Sequence, residues 1–182
     1  MKATKRKKLF SATKTIALVG MMAATWECAK LALAAIPNVE GVSLLIALYS
    51  FVFGWSGILS AAVFVCIEPM IWGFGTWFVS YIIYWPLLAL IFFMLGRLRI
   101  KNRFIITSVA VSMTFFFGIL TSLVDIGLFS GSFDNFFYRF GVYYARCIIF
   151  YAVHIASNLV IFLLIFTPLR KMLEKIRNIV FK

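Results

Sequence analysis

The sequence predicts an all-α, polytopic membrane protein with six transmembrane helices and both termini cytoplasmic. Composition is the first reason. Hydrophobic residues make up 64% of the chain and charged ones 13%, and the mean hydropathy is +1.02. A soluble domain has about 45–50% apolar and about 25% charged residues. The second reason is that apolar runs near twenty long recur along the 182 residues, the length a helix needs to cross a bilayer. The third is charge placement. Lys2, Lys5, Arg6, Lys7, Lys8 and Lys14 open the chain; Arg97, Arg99, Lys101 and Arg103 share one loop; Arg170, Lys171, Lys175, Arg177 and Lys182 close it. An even number of crossings puts these fifteen of the eighteen basic residues on one side, as the positive-inside rule requires. With Glu174 that side sums to +14, and the remainder of the chain to −2. The net charge of +12 therefore reports orientation, not nucleic-acid binding. The alternating ten-residue strands of an outer-membrane barrel are absent. Residues 1–182 read as a single membrane domain, with nothing left over for a soluble one.

Residues 1–8 form a basic cytoplasmic tail, and 9–35 the first helix, ending before Pro37. A basic start before an apolar run also resembles a signal peptide, but no small-x-small cleavage site follows directly. Gly20, Ala24 and Cys28 lie four apart, a stripe that admits another helix, inside this chain or from another subunit. Residues 36–41, IPNVEG, are the first outer loop. Residues 42–72 would make one helix of about 46 Å, too long for one span. GWSG at 54–57 divides it into two short spans. Residues 77–95 are the fourth span with Pro86 inside it, 104–129 the fifth and 138–167 the sixth, ending before Pro168. The 169–182 tail reads as an amphipathic interfacial helix, with Leu169, Met172, Leu173, Ile176 and Val180 on one side and basic residues on the other.

The stretch the chain is organised around is EPMIWGFGTWFVSYIIYW, residues 68–85. Trp77, Tyr81 and Trp85 share one helical face, and aromatics with polar tips at the end of an apolar run mark a membrane–water boundary. The unusual residues gather in the outer halves of the spans: Glu27 and Lys30, Glu68, Asp125, and on the sixth helix Arg139, Tyr143, Arg146, Phe150 and His154 roughly on one face, with Asn158 deeper. Charges at membrane depth cost several kcal/mol unless paired or wet, so a functional site is the default reading. The substrate-binding set is Asn38, Glu40, Glu68, Trp72, Trp77, Tyr81, Asp125, Arg139, Tyr143 and Arg146. Structural pairing, such as Arg146 with Asp125 or Glu68, is the competing reading of the charges.

Enzyme readings find no foothold. There is no GxxxxGK[ST] for nucleotide phosphates and no HExxH, and one histidine cannot build a histidine zinc site. Cys28, Cys66 and Cys147 are isolated and read as small apolar packing residues. No catalytic residue, metal or cofactor is expected.

Six short spans in about 180 residues resemble the substrate-binding S components of energy-coupling factor (ECF) transporters. The residues that carry the resemblance are IPNVEGVSLLIALYSFVFGWSGILSAAVF, IWGFGTWFVSYIIYWPLL and HIASNLVIFLLIFTPLRKMLEK. It implies a multi-pass protein of the prokaryotic plasma membrane that binds a vitamin or related small micronutrient from outside. It implies docking onto a transmembrane coupling protein that carries two cytoplasmic ATPases, and toppling in the membrane to release the substrate inside. The family's AxxxA docking motif falls on Gly20 and Ala24, or on Thr13 and Ala17, neither pair being alanine at both positions. The loop patterns of the riboflavin, thiamine, biotin and folate members are absent. The alternative is a small non-transport membrane protein, an assembly factor or a membrane-bound enzyme, whose polar cluster would face the cytoplasm.

Overall fold

The computed structural model describes residues 2–36, 39–129 and 134–180. Among these the chain is helical, without a strand: α1 (Lys2–Leu33), α2 (Val42–Phe53), α3 (Trp55–Trp72), α4 (Trp77–Arg97), α5 (Arg103–Phe129), α6 (Phe136–Ile161), a π-helical turn (Phe162–Phe166) and α7 (Thr167–Val180). Five segments are long and apolar enough to cross a membrane: Ala12–Leu33, Trp55–Trp72, Trp77–Arg97, Arg103–Leu128 and Phe136–Ile179. The chain is thus an all-helical protein built for a membrane. The remaining apolar helix, α2, has twelve residues, about 18 Å of rise against about 30 Å of hydrocarbon.

The breaks follow the sequence. α2 stops because Gly54 takes φ +64°, a backbone region that side chains with a Cβ avoid; its N–H still donates to the Ser50 carbonyl. The division of 42–72 therefore falls at one residue and is unequal. Pro69 and Pro86 lie inside α3 and α4 without ending them. The π turn sits just before Pro168, whose missing N–H cannot close an α-turn to Leu164.

α2 is the centre of the bundle. Ten of its twelve residues are buried, since α1, α3, α4 and α7 all pack on it. A helix apolar all round belongs in such a place. The core around it is aromatic. Trp26 meets Phe64 edge-on at 5.6 Å between centroids, Phe64 meets Trp85 at 5.9 Å, Phe51 meets Phe166 at 5.7 Å and Phe92 meets Phe162 at 5.7 Å.

Several expectations are corrected. The first helix begins at Lys2, so the basic tail is helical. α7 does not keep its basic residues on the far side from its apolar ones. Arg170 is buried, stacks 5.8 Å from the Phe51 ring and pairs with Glu174 at 3.5 Å. Arg177 donates from Nη1 to the Val52 carbonyl at 3.0 Å. For Arg177 the reason is the end of α2: its last carbonyls have no partners within the helix, and the guanidinium reaches one of them over its apolar stem. Cys28 and Cys66 are exposed on helix surfaces, not packed. Among the described residues the stripe on α1 packs against no other helix: Gly20, Ala24 and Cys28 are exposed, and a Cβ on Gly20 would meet nothing within 4 Å.

Helix direction alternates, so the bundle has two chemically distinct ends. Gly54, Arg97 and Arg177 line one recess at the basic end. Glu40, Glu68 and Trp72 lie at the other.

Candidate functional site

The end opposite the basic one holds two separate recesses, not one pocket. The first has a volume of about 390 Å³ and is lined by Lys30, Leu33, Ala34, Ile36, Val39, Glu40, Glu68, Trp72, Trp77 and Tyr81. That size falls within the range of small-molecule sites. α1 supplies the lysine, the loop before α2 supplies Glu40, the last turns of α3 supply Glu68 and Trp72, and α4 supplies Trp77 and Tyr81.

Local sequence explains the aromatic wall. Fourth-residue spacing sets Trp77 edge-on to Tyr81 at 5.0 Å and Tyr81 edge-on to Trp85 at 5.4 Å, neighbours on a shared helical face. Trp85 ends that ladder in the core, fully buried. Gly75 makes room at the top: a Cβ there would lie 2.5 Å from Nε1 of Trp77, so a larger residue would push the indole away.

Electrostatics inside the recess centre on one cation. The Lys30 ammonium pairs with Oε2 of Glu68. It also stands 5.1 Å from the centre of the Trp72 ring and 5.9 Å from that of Tyr81. Glu68 is fully buried, whereas the Lys30 side chain keeps 26% of its exposure. Oε1 of Glu68, Oε2 of Glu40 and Oε1 of Glu27 are buried without a hydrogen-bond donor among the described residues. Glu40 lies in the loop, and its burial pushes its carboxyl up to about 7; Lys30 opposes that shift and Glu68 adds to it.

The second recess, also about 390 Å³, is lined by Asp125, Ile126, Tyr138, Arg139, Val142, Tyr143 and Arg146 at the α5–α6 end. Tyr143 donates to Oδ2 of Asp125 at 2.6 Å. The pairing foreseen for Arg146 therefore does not form: Asp125 holds Tyr143 and Glu68 holds Lys30. The foreseen face of α6 also divides. Phe150 is 54% exposed while His154 is buried, its ring edge-on to Phe117 at 5.7 Å. The packed stripe runs instead through Tyr151, His154 and Asn158. Tyr151 exchanges a hydrogen bond with Ser122 at 2.8 Å, and Asn158 donates to Thr114 at 2.9 Å.

Of the ten expected binding residues, Glu40, Glu68, Trp72, Trp77 and Tyr81 come together. Asp125, Arg139, Tyr143 and Arg146 form the other group. Asn38 lies outside the described residues. Ala17, Gly20 and Ala24 sit exposed along α1. The residue missing from the expected set is Lys30, and the signal was present: a lysine three residues from Glu27 inside an apolar run. Among the described residues no group of histidine, cysteine or carboxylate side chains is arranged to hold a metal ion. Compared with sequence profiles of known families, with curated proteins and with solved structures, the chain finds no match.

Proposed function

We propose that this chain is the substrate-binding S component of an ECF-type importer. On this reading it crosses the plasma membrane six times with both termini cytoplasmic. It takes a vitamin or related small micronutrient from outside and passes it on through a coupling protein and two ATPases. The observation that carries the reading is the recess of Lys30, Glu40, Glu68, Trp72, Trp77 and Tyr81. It is a ligand-sized cavity with aromatic walls and few charges, at the end of the bundle opposite the basic segments. The positive-inside rule assigns that end to the outside. Pockets that combine apolar area with a few orienting polar groups are the common form of small-molecule site. The exposed stripe of Ala17, Gly20 and Ala24 suits the close approach of a helix from the coupling protein. The second recess, with its two arginines, is not part of the capture site.

The test is purification from the native membrane under mild conditions, followed by mass spectrometry of extracted small molecules and identification of co-eluting proteins. A bound micronutrient and two ATPase subunits are expected. A chain that elutes with neither, while its partner genes are expressed, overturns the proposal in favour of a non-transport membrane protein.

A further inference from the structure

The chemistry of the first recess points to the charge of its occupant. Two carboxyl groups, those of Glu40 and Glu68, line the recess, Glu27 stands beside Glu68, and all three interact with a single ammonium, that of Lys30. Each has a buried oxygen without a donor among the described residues. Glu68, fully buried, lines the cavity and keeps one oxygen unpartnered among the described residues. The lysine head stands over the rings of Trp72 and Tyr81, 5.1 and 5.9 Å from their centres. Aromatic faces backed by a carboxylate form the usual receptor for an organic cation, because the ring quadrupole and the anion attract the same charge. Here that receptor is filled from within, by a lysine on a flexible four-carbon stem whose side chain is still 26% exposed. The carboxylates are not grouped to hold a metal ion, which favours an organic cation with N–H donors for the orphaned oxygens.

We propose that the ligand of this recess is positively charged, a protonated amine or a cationic nitrogen heterocycle, and that it takes the place of the Lys30 ammonium between Trp72, Tyr81 and Glu68. Lys30 then swings to the mouth of the recess, into water. An anionic ligand would instead have to face the carboxyl groups of Glu40 and Glu68 beside one ammonium that is already paired. This rests on the reading of the recess as a capture site and adds to it the ligand's charge and the role of Lys30 as a resident placeholder.

The experiment uses the full chain in lipid nanodiscs, with tryptophan emission and calorimetry as readouts. The probes are benzylammonium, benzyl alcohol and benzoate, which present one ring with a positive, neutral or negative substituent. Saturable binding of the cation is expected, at least about tenfold tighter than either of the other two. Lys30→Met is expected to tighten the cation about tenfold by removing its competitor. Trp72→Leu, at an exposed position where folding is not at stake, is expected to weaken it by a similar factor. Benzoate binding that disappears in Lys30→Met overturns the proposal and leaves the capture reading standing, with Lys30 as an anion contact. Equal affinity for the alcohol and the cation, or no binding of any probe, also overturns it. Co-elution with ATPase subunits reports on the capture reading independently of all three probes.

Discussion

Replacing Lys30 by methionine should cost this protein far more stability than replacing Glu68 by glutamine, although both changes break the same ion pair. The asymmetry comes from burial. Glu68 is fully buried, and its lysine partner keeps 26% of its side-chain exposure. In Lys30→Met a buried carboxylate loses its counter-ion and cannot reach water. Removing one partner of a buried pair in this way costs about 3–5 kcal/mol. The partial exposure of Lys30 at the edge of the recess places the loss near the lower end, about 3 kcal/mol. In Glu68→Gln the lysine left behind snorkels along its stem into water, and the amide keeps the volume of the acid. That loss should be about 1 kcal/mol, the size of an ordinary hydrogen bond. The double variant Lys30→Met/Glu68→Gln should lose only about 2 kcal/mol, less than Lys30→Met alone, giving a coupling of about 2 kcal/mol in a double-mutant cycle. Equilibrium unfolding in mixed micelles, run on all four proteins, measures each term. A Glu68→Gln loss equal to or larger than that of Lys30→Met would refute the reasoning, as would a double variant no more stable than Lys30→Met alone.

Four further outcomes are expected. In a cysteine-free background, Phe74→Cys, in an exposed turn, should react with a membrane-impermeant maleimide on intact cells, and Asn102→Cys only after permeabilisation; the reverse pattern inverts the topology. Gly20→Leu and Ala24→Leu should reduce co-purification of the coupling protein while leaving thermal stability unchanged, since both positions are exposed and a Cβ at Gly20 meets nothing within 4 Å among the described residues. Trp77→Ala should weaken ligand binding by about 1–3 kcal/mol and Arg146→Ala should not change it, as calorimetry can show, because the two residues line different recesses. Glu40 gives a pH dependence. Its carboxyl is held at about 7 in the fold, facing Lys30, Glu68 and Tyr81, against an ordinary value near 4.5. Between those values the folded state binds more protons than the unfolded one, so stability falls as pH rises from about 4.5 to 7, by at most about 3 kcal/mol. Glu40→Gln should flatten that slope in unfolding measured across the same range.

The helices and their breaks were legible because each depends on near neighbours in the chain. Apolar runs of bilayer length, the glycine at 54 and the Trp77–Tyr81–Trp85 spacing set local geometry whatever surrounds them. So did the charge segregation, which fixes the two ends of the bundle. Several properties were decided only when distant segments met. Lys30 and Glu68 are 38 residues apart, and neither residue's own neighbourhood names the other as its partner. Arg170 and Arg177 read as lipid-surface cations on α7, yet they turn inward where the short α2 ends beneath them, Arg170 over the Phe51 ring and Arg177 onto the Val52 carbonyl. The direction in which the Gly20–Ala24 stripe faces depends on which side of α1 the bundle occupies, and that side is set by the burial of Met22, Ala23 and Trp26. The expected binding residues divided into two recesses for the same reason. Periodicity places a side chain on a face of its own helix, while the packing of helices against one another decides which faces share a cavity.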